Sequence, residues 1–133
     1  MASILVIDDE RDVREALASA LTRMGHSVRV AADGPAGIEA CRAAPVDLVI
    51  TDLVMPRAHG FDVIGQLRAD YPQLRFVAIS GGGNFAAESY EPDAVTTTAY
   101  LAAAREFGAV AVLSKPFSRA ELLRAINEAL GLA

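Results

Sequence analysis

A chain of 133 residues with a net charge of −5 has room for one hydrophobic core, and 53% hydrophobic against 22% charged residues places it among folded chains. The acidic balance disfavours nucleic acid as a partner, since phosphate binding normally rests on a basic patch, and leaves proteins and cations as the partners to expect. No apolar run approaches the ~20 residues that cross a bilayer, and the N-terminus lacks the pattern of an export signal, so a cytoplasmic protein without membrane contact is expected.

The chain opens on "SILVI" at 3 to 7, a short apolar run without polar alternation, which is the pattern of a strand covered on both faces. Four similar runs follow: "SVRVA" at 27 to 31, "VDLVIT" at 46 to 51, "LRFVAIS" at 74 to 80 and "AVAVLS" at 109 to 114. Segments of helical period lie between them. The first puts Val13, Leu17, Leu21 and Met24 on one face and stops at Gly25; the second starts after Asp33 and carries Ile38 and Cys41. A third, from Gly60 to Asp70, aligns Phe61, Ile64 and Leu67 and ends before Pro72. The last opens with Ser118 and Glu121 at capping-box spacing and turns Leu122, Ile126 and Leu130 inward. Cys41 is the single cysteine, which excludes an internal disulfide and a cysteine-built metal site; its expected use is as a small buried apolar residue.

Strands alternating with helices over short connections are parallel, with crossover helices on both faces. The expected fold is therefore α/β, a doubly wound five-stranded parallel sheet of order 2-1-3-4-5, forming one domain over residues 1 to 133. One connection is out of scale: "GGGNFAAESYEPD", residues 81 to 93, is far longer than the ~2–6 residues usual between strand and helix. Its three glycines predict a mobile, weakly ordered segment.

In such a sheet, ligands bind beyond the carboxyl ends of the strands where the strand order reverses, here between strands one and three. Strand one runs into Asp8, Asp9 and Glu10, and strand three into Asp52. Strand four ends at Ser80 and strand five in "SKPF", which brings Lys115 to the same rim. Each residue alone has an ordinary use as a cap, a turn former or a solvated side chain. Together, the three acids Asp8, Asp9 and Asp52, a hydroxyl and an amine at the ends of four strands predict a site. Hard carboxylate oxygens of this kind suit Mg²⁺. The cation would let a phosphoryl group approach Asp52, with Lys115 and Ser80 as donors to its oxygens. His26 and His59 stand alone and read as surface residues.

The set "VIDDE", "TDLVMPRAHGFDVI", "ISG" and "LSKPF" closely resembles the receiver domain of two-component response regulators over essentially the whole chain. The resemblance implies the flavodoxin-like receiver fold and Asp52 as phosphoacceptor. It also implies Mg²⁺ held by Asp8, Asp9, Asp52 and the backbone carbonyl of Val54, Ser80 as the switch hydroxyl, Lys115 paired with the phosphoryl group, and a cis Lys115–Pro116 peptide. Its partners would be a sensor histidine kinase or histidine phosphotransfer protein and a downstream protein target. Such a protein is no enzyme toward other substrates, catalysing only its own phosphoryl transfer and slow dephosphorylation. The family usually carries an aromatic residue or histidine three positions before the lysine, where this chain has Val112. A switch through Ser80 and the strand-four loop, without a rotating ring, is the corresponding expectation.

Because the chain stops soon after its last helix, a stand-alone receiver is expected. Alternatives within the fold are a phosphorelay intermediate that passes phosphate to a histidine, and a phosphorylation-independent adaptor. A haloacid-dehalogenase-type phosphatase would place a second aspartate two positions after the nucleophile, where Val54 stands, and so lacks its proton donor.

Overall fold

In the computed structural model the described residues are 2–53, 60–80, 102, 105–106 and 108–131. The elements run β1 (Ser3–Ile7), α1 (Arg11–Arg23), β2 (Ser27–Ala31), α2 (Gly34–Ala43), β3 (Leu48–Asp52), α3 (Gly60–Asp70), β4 (Arg75–Ser80), β5 (Ala111–Ser114) and α4 (Arg119–Leu130). All four strand pairings are parallel and the order is β2-β1-β3-β4-β5, as the alternation of periods predicts.

Two-sided burial explains the unbroken apolar runs. On one face Ile4, Val6, Leu48, Ile50, Val77 and Ile79 meet Leu17 and Leu21 of α1 and Leu122 and Ile126 of α4. On the other, Leu5, Ile7, Val49, Phe76 and Ala78 meet Ile38 and Cys41 of α2 and Val63, Ile64 and Leu67 of α3. Burying each such aliphatic or aromatic side chain fully contributes about 1.5–3 kcal/mol, so the alternation of faces holds the sheet between its helices. Cys41 lies inside, and burial pushes its thiol pKa up. Val13, Met24 and Leu130, expected inward, are only partly buried against the α1–α4 side.

Element ends follow local hydrogen bonding. α2 is capped by Asp33, whose side chain accepts from the Ala36 amide, and Pro35 stands in its first turn, where no intrahelical donor is needed. α4 carries the expected capping box between Ser118 and Glu121, and it ends at Gly131, which takes a left-handed φ of 75°. β3 begins two residues later than its apolar run because Asp47 is engaged with β1: its carboxylate accepts from the Ser3 amide and its amide donates to the Ser3 carbonyl. β3 in turn includes Asp52, which pairs with Ile79. β5 begins at Ala111, since Gly108 turns through a φ of 123° with Arg68 packed where a Cβ would sit. His26 is half-buried instead of standing at the surface, accepting from the Ala2 amide through Nδ1.

The long connection at 81 to 93, His59 and the carbonyl of Val54 lie outside the described residues. Among the described residues, no helix is long and apolar enough to cross a membrane.

Candidate active site

The sheet delivers the site because parallel strands bring all their carboxyl ends to one edge. Ile7 pairs with Thr51, so Asp8 and Asp52, the residues next in line, stand side by side at that edge. Both are buried. Asp8 is pinned from several directions: its amide donates to the Ala31 carbonyl, its Oδ1 accepts from the Glu10 amide at 2.8 Å, and its carbonyl accepts from Arg14 Nη1 at 2.8 Å. The Thr51 hydroxyl donates to the Asp52 carbonyl. Ser80, also buried, follows Ile79, the partner of Asp52, and pairs with Ser114.

Lys115 enters from the far end of the chain. Its amide donates to the Ser80 carbonyl, and the peptide to Pro116 is cis, as expected. Its Nζ lies 2.8 Å from Glu10 Oε1, 3.1 Å from Asp52 Oδ2 and 3.2 Å from Asp8 Oδ2, with the side chain only 8% exposed. The Glu10 and Asp52 contacts are hydrogen bonds. Asp8 Oδ2 is close enough for an ion pair but accepts no hydrogen bond, although it is buried. Burial alone would push the ammonium's pKa down; Asp52, Glu10 and Asp8 more than offset it and hold the pKa above its ordinary value. Burial also raises the Asp8 carboxyl, against the pull of the Glu10 amide and of Lys115. Lys115 is moreover the only lysine in the sequence.

Three carboxylates around one ammonium leave the cluster short of positive charge. Ligand oxygens of Asp8, Glu10 and Asp52 lie within 4.8 Å of one another, a spacing open to a small divalent cation. The buried Asp8 Oδ2, which has the Lys115 ion pair but no hydrogen bond, supplies a hard oxygen donor of the type Mg²⁺ takes. Of the residues named from sequence, Asp8, Asp52, Ser80 and Lys115 come together at the strand ends; Asp9 is half-buried and is not part of the close group of carboxylates. Glu10 is the member that sequence reasoning passed over. Its signal was present in the run of three acids, but which of them faces the lysine depends on how the chain turns from β1 into α1.

Residues 4–127 match the family model of the response regulator receiver domain. The chain belongs to that family. The DNA-binding transcriptional regulator NtrC of Azospirillum brasilense is 35% identical over 129 residues, which are 97% of this chain and 24% of NtrC. The sensor kinase CckA of Brucella abortus is 33% identical over 131 residues, 97% of this chain and 12% of CckA. The receiver thus spans about a quarter or less of either relative. Among solved structures, a response regulator receiver domain protein from Clostridium thermocellum superposes with a TM-score of 0.79 at 27% identity, covering 98% of this chain and 95% of that one.

Proposed function

We propose that this receiver accepts a phosphoryl group on Asp52 from a sensor histidine kinase or a histidine phosphotransfer protein, with Mg²⁺ bound, and signals by altered contacts with a downstream protein. The observation that carries the reading is the buried Lys115 ammonium 3.1 Å from Asp52, at the joint edge of β1, β3 and β5. An Asp52 oxygen attacks phosphorus while the bond to the donor nitrogen breaks. Catalysis of such a transfer is mainly positioning and charge stabilisation. Asp52 is held by its strand pairing, and Lys115 offers protons to the phosphoryl oxygens. Asp8 and Asp52, with Asp9 and the Val54 carbonyl beside them, are the residues that would hold Mg²⁺. The bound cation supplies charge neutralisation that lets one anion approach another. Ser80 supplies a hydroxyl for the modified state. The protein catalyses only its own phosphorylation and slow dephosphorylation.

Incubation with acetyl phosphate and Mg²⁺ followed by mass spectrometry tests the assignment. Wild type gains one phosphoryl group on the peptide containing Asp52, and Asp52→Asn gains none. Equal labelling of the two proteins moves the acceptor elsewhere.

A further inference from the structure

Glu10 makes the shortest of the three contacts to Lys115, and its geometry differs from that of the other two carboxylates. The side chains of Asp8 and Asp52 are 1% and 7% exposed, whereas that of Glu10 is 26% exposed, so Glu10 meets the ammonium from the solvent side. Glu10 is also the N-cap residue of α1, yet its side chain makes no capping bond to the helix. Its carboxylate is committed to a residue 105 positions away. The backbone beneath it is fixed, since its amide donates to Asp8 Oδ1 and its carbonyl accepts from the Arg14 amide.

The ammonium lies on Asp8 Oδ2 and Asp52 Oδ2, the same inner oxygens that a divalent cation would need. Two positive groups cannot share those oxygens at short range. Full release of Lys115 to water would remove it from the phosphoryl site. We propose that Glu10 is a holding acceptor for Lys115: when Asp8 and Asp52 turn to a divalent cation, the ammonium withdraws onto Glu10 and stays at the rim of the site. Glu10 is in this sense a positioning residue, acting through Lys115. The inference rests on the phosphoacceptor reading for its use, but not for its test.

That test needs no phosphoryl donor. Mg²⁺ affinity is measured by calorimetry for wild type, Glu10→Gln, Lys115→Met and the double variant. With Lys115 present, Glu10→Gln weakens Mg²⁺ binding by about tenfold, because Asp8 and Asp52 still hold the ammonium without the cation, whereas with the cation bound it is left with no charged acceptor. With Lys115→Met in place, most of that loss disappears. An equal loss in both backgrounds makes Glu10 a direct ligand or a remote charge and overturns the proposal, as does no loss in either, or no Mg²⁺ binding by wild type. A second measurement avoids the lysine variant. Because the chain has one lysine, acylation of the Lys115 peptide by an amine reagent reports that ammonium alone. Saturating Mg²⁺ accelerates acylation several-fold in Glu10→Gln and leaves wild type nearly unchanged; equal responses overturn the proposal. Acetyl phosphate labelling of Asp52, run in parallel, separates the two claims. Labelling without the Glu10 effect defeats only the holding role, and the Glu10 effect without labelling defeats only the phosphoacceptor.

Discussion

Lys115→Met removes the one ammonium that faces Asp8, Glu10 and Asp52 and leaves three carboxylates crowded at the strand ends. At 3.1 Å and an effective dielectric constant of 20, the attraction to Asp52 alone is about 5 kcal/mol before desolvation of the charges is subtracted. The lysine and both aspartates are nearly inaccessible, so solvent screening discounts little of this. Breaking a buried pair by deleting one partner typically costs about 3–5 kcal/mol, and that is the expected loss for the variant in metal-free urea denaturation near neutral pH. Two further responses follow. Mg²⁺ at about 100 times its Kd stabilises the variant by about 2.7 kcal/mol, so relative to metal-free wild type it restores most of the loss. Lowering the pH also restores stability. Burial raises the Asp8 carboxyl even against the pull of Lys115, so without the ammonium it stays above its unfolded value, the folded form binds more protons, and stability rises as pH falls. A loss below about 1 kcal/mol, or a deficit that neither Mg²⁺ nor acid reduces, would refute the view that Lys115 is the compensating charge of this cluster.

In wild type, the same ammonium is held above the ordinary lysine value of 10.5, so its contribution is complete below that pH and is lost as pH rises through the folded value; thermal melting of wild type against Lys115→Met at alkaline pH reads the difference. In α2, a Cβ at Gly37 would lie 2.3 Å from Ile7 Cδ1, beneath the site. Gly37→Ala therefore destabilises by about 1–3 kcal/mol, the overpacking cost exceeding the gain in helix propensity, and an Ile7→Val background recovers only part of that loss, since it removes Cδ1 but keeps Cγ1, which lies 2.7 Å from the new Cβ. Ser118→Ala costs about 1 kcal/mol by opening the capping box of α4. The Ser118 backbone and side-chain hydrogen bonds hold the Glu121 carboxyl below its usual value, so this contribution is present above that value and fades as pH falls through the folded one, which acid titration of the melting temperature detects. Ser80→Ala weakens the phosphorylation-dependent change in partner binding, while Val112→Ala, at a half-buried position packed on the α2–α3 side, costs about 1 kcal/mol of stability and spares signalling; amide exchange confined to β5 on phosphorylation would speak against that route.

Much of this molecule is decided by local sequence because its sheet is buried on both faces. A run such as "SILVI" can be satisfied only between two helical layers, and the amphipathic stripes carrying Leu17 and Leu21, or Ile64 and Leu67, supply those layers. From parallel strands it follows that Asp8, Asp52, Ser80 and Lys115, scattered over the chain, end at one edge. What the sequence leaves open is the direction of side chains in the turns beyond that edge. Three consecutive acids are equivalent as letters, yet only the hydrogen bond from the Glu10 amide to Asp8 Oδ1, together with Arg14 on the Asp8 carbonyl, sets which of them look inward. Periodicity carries no information there, since each residue's orientation depends on irregular backbone angles. The approach of Glu10 to Lys115, across 105 residues, exists only once β1 and β5 share a sheet, and so it was the tertiary structure that brought Glu10 into the site.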